Sequence, residues 1–302
     1  MISGSPSRTR LTPCAPGTTG CAPRRFWILA LAAVLSSAWI APAAAGPHPR
    51  VVSINMCTDQ LVLALADPDQ ILGLSAYARD PLLSFAAAAA ANYPSLSGGA
   101  EEVLVLQPDL VLAGRYTRTV TRGFLKAKGI PLAEFDVARS IADATAQIRR
   151  AGELLGQQAR AEAAIAAIDA AVARAEAAPY RRLSVLPLQR RGWVAGGRTL
   201  TTDLLETLGL ANAGAAFAAT GGLVPLERIV VQRPDALLLT REAVAAEDQG
   251  SALLAHPALV ALYPPERRIY LPERLTVCGG PMLAEAIDRL AAEVDRLGRL
   301  AK

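Results

Sequence analysis

Hydrophobic positions in this chain fall into short blocks that alternate between two periods. Largely apolar runs of four or five residues at 51–54, 71–75, 110–113 and 131–135, and again at 183–186, 236–239 and 268–271, predict buried strands of the parallel kind. Between them, apolar residues spaced three and four apart predict helices. In the first half these are a helix beginning at Thr58-Asp59 and running through 60–65, an alanine-rich helix over 82–91, and a helix over 120–128 stopped by Gly129. In the second half a helix starts at Thr202-Asp203 and ends near 208, a helical region covers 243–262, and a final helix covers 281–297. Strand and helix taking turns in this way predict parallel sheets covered by helices.

One block occurs twice. Glu101-Glu-Val-Leu-Val-Leu-Gln-Pro108-Asp109 is followed by Leu-Val-Leu, and Glu227-Arg-Ile-Val-Val-Gln-Arg-Pro234-Asp235 by Ala-Leu-Leu-Leu. Each copy reads as a short amphipathic helix stopped by proline and followed by a buried strand. A glycine pair precedes each, Gly98-Gly99 and Gly221-Gly222. Between the two halves, 140–178 holds no proline and is rich in Ala, Glu, Arg, Gln and Leu, with Ser140 and Asp143 placed as a capping pair. Gly156 divides this stretch and leaves a helix of about 30 Å at 1.5 Å per residue. The expected fold is therefore α/β: two parallel-sheet, Rossmann-like lobes joined by a single long helix, with a ligand cleft between them. The expected divisions are 1–45, an N-terminal lobe at 46–139, a helical connector at 140–179 and a C-terminal lobe at 180–302. A stiff connector of this kind resists wide hinge closure.

The first 45 residues read as a secretory signal. Arg24-Arg25 precede the apolar run 26–40, and Ala43-Ala44-Ala45 provides a small-residue cleavage site before Gly46. The run is shorter than the roughly 20 residues of a membrane span, and the paired arginines fit the twin-arginine route and an ordinary charged leader alike. Removal of this segment takes away four arginines and no acid, so Lys+Arg falls from 31 to 27 against 27 Asp+Glu. The remaining chain is formally neutral, which removes the support that a basic excess would give to nucleic-acid binding. It also leaves Cys57 and Cys278 as the only thiols of a chain expected in an oxidising compartment.

Together, the leader, the twinned Glu-x6-Pro-Asp block, the connecting helix and the stretches Val51-Val-Ser-Ile-Asn-Met-Cys-Thr-Asp59 and Leu275-Thr-Val-Cys-Gly-Gly-Pro281 resemble the helical-backbone class of periplasmic substrate-binding proteins. That family delivers ferric siderophores, haem or cobalamin to ABC importers. The resemblance covers essentially all of the chain after the leader. It implies a monomeric, non-enzymatic periplasmic carrier, without a resident cofactor or metal, that docks on a dimeric inner-membrane permease. It also implies that the glutamate of each repeat, Glu101 and Glu227, lies on the outside of its lobe and pairs with permease arginines. Two carboxylates on matched lobes suit a two-fold partner.

In open α/β sheets ligands bind beyond the carboxyl ends of the strands. Those loops carry Asn55, Met56 and Cys57, then Tyr77 and Arg79, then Arg115 and Tyr116; from the second half come Arg190, Arg191, Trp193, Arg241 and Arg274. Aromatic rings and guanidinium groups gathered in a chain with 5% aromatics suit a large, partly planar, anionic chelate. This leans towards a ferric siderophore, with cobalamin beside it. Haem needs an axial ligand, and the two histidines outside the leader, His48 and His256, fall in no expected cleft loop; Tyr77, Tyr116 and Met56 keep that alternative open. For Cys57 and Cys278 a cross-cleft disulfide, two free thiols and soft-metal ligation with Met56 all remain open. A secreted thiol hydrolase using Cys57 is the rival class, but it lacks a nearby histidine base, and no Gly-x-Ser-x-Gly, Cys-x-x-Cys or His-Glu-x-x-His occurs.

Overall fold

The structure, a computed structural model, describes residues 48–178, 182–217, 221–240 and 249–300. The expected leader and Arg241 lie outside the described residues. The N-terminal half alternates β1 (Val51–Ser53), α1 (Met56–Leu65), β2 (Ile71–Ser75), α2 (Ala87–Ala90), β3 (Ser95–Leu96), α3 (Ala100–Leu106), β4 (Leu110–Gly114), α4 (Thr119–Ala127) and β5 (Leu132–Phe135). Its strands form one parallel sheet in the order β3-β2-β1-β4-β5. β1 and β4 are buried at every position, as strands covered on both faces must be.

Two helices follow, α5 (Ile141–Leu155) and α6 (Gln158–Ala177). Ser140 caps α5 by accepting from the amide of Asp143, and Gly156 ends it with a left-handed φ of 71°. The chain then doubles back closely: a Cβ on Gly152 would stand 2.4 Å from the Cβ of Ala161. The second half runs β6 (Ser184–Pro187), β7 (Trp193–Ala195), α7 (Leu200–Thr207), β8 (Ala211–Asn212), β9 (Gly221–Leu223), α8 (Leu226–Gln232), β10 (Ala236–Leu239), α9 (Gln249–Ala252), α10 (Pro257–Leu262), β11 (Arg268–Tyr270) and α11 (Leu283–Leu300). A second parallel sheet has the order β11-β10-β6-β8, and β7 pairs antiparallel with β9 as a separate ribbon. The two sheets are distinct, but one apolar core runs between them. Leu61 and Leu65 of α1, Ile148 of α5, Ile165 and Ile168 of α6, Ile287 and Leu290 of α11 and Leu238 of β10 all belong to it.

The duplicated block takes one conformation twice. Gln107 and Arg233, the residues before each Pro-Asp, both adopt the left-handed region, with φ of 48°. Asp109 Oδ2 accepts the backbone N–H of Arg50 at 2.8 Å, and Asp235 Oδ2 accepts that of Ser184, also at 2.8 Å. Each aspartate amide donates back to the same residue's carbonyl, at 2.9 and 2.8 Å. The motif therefore ties the start of one strand to the start of its neighbour in both sheets.

Four sequence expectations change. α1 begins at Met56 with Asn55 as its cap, because Asn55 Oδ1 reaches the amides of Cys57 and Thr58 while Thr58 turns its hydroxyl to Ser53. Likewise α7 starts earlier than Thr202, capped by Thr199. The alanine-rich helix over 82–91 shrinks to α2, since the amides of Phe85 and Ala86 bond the side chain of buried Gln60 instead of a preceding turn. Of the region 243–262, residues 243–248 lie outside the described residues, and the remainder is two short helices parted at His256, which caps α10 through Nδ1.

Candidate functional site

The site grows from the carboxyl ends of β1, β2, β4 and β5. After β1 the chain must turn at once into α1, and the Asn55 side chain is spent on that turn. β4 ends beside it at Gly114, where an added Cβ would fall 2.5 Å from Asn55 Nδ2, so only glycine lets the strand pass. The next turn is closed by Thr117, whose Oγ1 accepts the Gly114 amide at 3.1 Å, and this leaves Tyr116 74% exposed. Beyond β2 a single 3-10 turn, Ala76–Arg79, raises Tyr77 to 60% exposure.

Buried polar groups of α1 hold this arrangement from beneath. Asp59, fully buried, accepts from the amide of Ser75 at 3.2 Å and from its hydroxyl at 2.5 Å, fixing the end of β2 just before the Tyr77 turn. Burial pushes its carboxyl up to about 7, against the opposing hydrogen bonds of Ser53 and Ser75. Gln60 donates to Ser84 and accepts from the amides of Phe85 and Ala86, pinning the next loop.

Two hollows result. One, of about 390 Å³, is lined by Asn55, Met56, Tyr77, Leu83, Tyr116 and Arg118 among others, and extends to Ser97 and Gly98 just ahead of α3. The other, of about 100 Å³, brings Cys57, Arg115, Tyr116 and Asp136 from the first half against Val277 and Cys278 from the second. Here Cys57 and Cys278 are joined in a disulfide. The loop carrying Cys278 fits closely: a Cβ on Gly279 would stand 2.4 Å from that of Ala138 and 2.9 Å from that of Ala144.

The arginines singled out from the sequence divide. Arg79 turns away to the carbonyl oxygens of Tyr93, at 2.6 Å, and Ala91. Arg115 pairs with Asp136 at 2.7 Å; the Val137 amide and then Arg115 hold the Asp136 carboxyl below its usual range. Both partners are more than half exposed, so the pair adds little stability. Arg274 lies half-buried in the 3-10 turn Glu273–Leu275. Arg190 and Arg191 are exposed in the turn leading to β7, with Arg191 left-handed at φ 60°. Trp193 differs from its expected loop position: it is in β7, half-buried, with its ring over Gly221. Neither Trp193 nor these two arginines line the two hollows. Sequence reasoning missed Leu83 as a lining residue, whereas Thr117 and Arg118 belong to the Gly-Arg-Tyr-Thr-Arg turn after β4 that the sequence places among the ligand-facing loops. Among the described residues no group of three His, Cys, Asp or Glu side chains is placed to hold a metal ion.

The repeat glutamates lie elsewhere. Glu101 and Glu227 are exposed in the first turns of α3 and α8. Glu101 is three residues beyond Gly98 at the rim of the larger hollow, and Glu227 borders a separate surface hollow with Phe217 and Val231.

A profile describing periplasmic binding proteins matches residues 51–262. The chain belongs to this family. Cobalamin-binding proteins from two strains of Halobacterium salinarum are 31% identical over 218 residues, which is 70% of this chain; the match spans 59% of their own length. Among solved structures, the apo periplasmic heme-binding protein RhuT from Roseiflexus sp. RS-1 has a TM-score of 0.66 at 25% identity, covering 83% of this chain and all of that one. The vitamin B12 binding protein BtuF of Vibrio cholerae has the same TM-score at 14% identity, over 84% of this chain and 99% of that one, a likeness of fold alone. The two separate parallel sheets, with a hollow of about 390 Å³ beyond the carboxyl ends of the first, conform to the fold of that family.

Proposed function

We propose that this protein is the substrate-binding component of an ABC importer, exported to the periplasm by residues 1–45, and that it carries cobalamin to an inner-membrane permease. The observation that carries the reading is the pair of exposed rings, Tyr77 and Tyr116, on a hollow of about 390 Å³ that Met56 and Asn55 also line. Such rings pack on the faces of a large macrocycle, and their hydroxyls meet its amide groups. The 31% identity to cobalamin-binding proteins supports the same choice.

The lean towards an anionic ferric siderophore loses weight. It relied on guanidinium groups, and two of those on the first lobe are already engaged, Arg79 with backbone carbonyls and Arg115 with Asp136. Haem is the second reading: a Tyr77 or Tyr116 phenolate would be the axial ligand, and Arg118 at the same hollow would meet a carboxylate of the porphyrin. The monomeric state, the lobe divisions at 139 and 179, and docking of Glu101 and Glu227 on permease arginines belong to this proposal. Glu101 near the cargo hollow suits it, since release then occurs beside the docking contact.

Titration of the purified protein with cyanocobalamin, hemin and a ferric hydroxamate tests the choice, followed by calorimetry and absorbance. A one-to-one complex with cyanocobalamin alone is expected. A hemin complex whose spectrum changes in Tyr77→Phe or Tyr116→Phe selects haem instead, and failure to bind all three refutes the cargo assignment.

A further inference from the structure

The two copies of the repeated block can be compared position by position. Glu, Val, Pro and Asp are identical in both: Glu101 and Glu227, Val105 and Val231, Pro108 and Pro234, Asp109 and Asp235. Pro108 and Pro234 are buried, and the aspartates hold the strand starts at Arg50 and Ser184, so the chain's own folding accounts for both pairs. It does not account for the others. Glu101 and Glu227 are exposed and make no hydrogen bond or ion pair with a described residue. Val105 is 82% exposed and Val231 83%. Neighbours on the same helices have diverged, Glu102 opposite Arg228 and Leu106 opposite Gln232.

A single exposed valine is ordinary. The same valine four residues after the same unpaired glutamate, on the same face of a helix in each lobe, is a repeated surface element. Its support is firm in both copies: Val103 and Ile229 beneath it are wholly buried, and the left-handed Gln107 and Arg233 fix its end.

We infer that the docking contact proposed for Glu101 and Glu227 has an apolar half in each lobe, Val105 and Val231, so that each lobe presents a two-part knob whose valine enters an apolar socket beside the cation on each half of a two-fold membrane partner. The inference rests on the importer reading. The carboxylate sets orientation and on-rate, and the desolvated valine adds a contact that salt does not screen.

The test is binding of the purified chain to its importer, membrane subunits and ATPase together, in phosphatidylethanolamine/phosphatidylglycerol nanodiscs at low and high salt. Val105→Thr with Val231→Thr keeps side-chain shape while replacing a methyl with a hydroxyl. It is expected to weaken binding about tenfold at either salt concentration, with an unchanged thermal midpoint and unchanged cyanocobalamin titration. Glu101→Gln with Glu227→Gln is expected to weaken it chiefly at low salt. Full binding by the valine pair while the glutamate pair loses it overturns the apolar half of the knob and leaves the importer reading intact. Full binding by both pairs overturns the knob entirely, and no binding by the wild-type chain overturns the importer reading as well.

Discussion

Cys57 in the first turn of α1 is bonded to Cys278 in the turn ahead of α11, a link between residues 221 positions apart. It lines the small hollow where the loops of the two halves meet. So long a loop removes much entropy from the unfolded chain. Cys57→Ser, or dithiothreitol treatment, is expected to lower stability by about 3–5 kcal/mol. Denaturant melts with and without reductant measure this; coincident curves contradict it.

Close approach of the halves at Gly279 leaves no room for a side chain, given Ala138 and Ala144 on the facing segment. Gly279→Ala is expected to cost about 1–3 kcal/mol through overpacking. Gly123, within α4 and with open space around its Cβ position, is the contrast: Gly123→Ala is expected to stabilise by about 0.5–1 kcal/mol. Equal thermal shifts for the two variants contradict this.

Asp59 makes stability depend on pH in a definite direction. Unfolded, its carboxyl ionises at the ordinary 3.8; folded, burial raises this to about 7. Between those values the native state holds the extra proton, so stability falls as pH rises from about 4 to 7, by at most roughly 4 kcal/mol at 1.36 kcal/mol per unit. Asp67, Asp109 and Asp136 act oppositely and in another window, because their carboxyls are held low and their contribution is lost only as pH falls below about 4. Asp59→Asn is expected to flatten the slope between pH 4 and 7 in chemical-denaturation series. An unchanged slope contradicts the assignment.

Residues chosen together from the sequence are expected to separate by experiment. Tyr77→Ala and Tyr116→Ala each weaken cargo binding about tenfold, or roughly 1.4 kcal/mol, without lowering the melting midpoint. Trp193→Ala lowers the midpoint instead, since its ring packs over Gly221 within the β7–β9 ribbon. Calorimetric titration beside thermal melts distinguishes them, and a Trp193 variant that melts normally but binds poorly reverses this division.

What was legible in the chain follows from how local each signal is. Strands such as β4 and β10 are continuous apolar runs, and the repeat carries its own stop at Pro-Asp, so these elements are placed from composition alone. Helix starts shifted by two or three residues, because Asn55 and Thr199 compete with the nearby Thr-Asp pairs for the cap and only the backbone path decides between them. The 82–91 segment misled for a different reason: alanine propensity favours helix, but a buried glutamine on α1, remote in sequence, takes its amides. Tyr77 and Tyr116 could be placed near the larger hollow from the sequence because each closely follows a strand. The engagement of Arg79 with the Tyr93 carbonyl depends on tertiary placement that no local pattern records.

Cargo uptake by cells whose own copy of this protein is replaced by Glu101→Ala with Glu227→Ala is the most direct measurement. A carrier that hands its cargo to a membrane gate through matched acidic knobs is expected to lose nearly all uptake while the purified variant binds cargo as tightly as the wild type. Undiminished uptake at normal cargo affinity would contradict it.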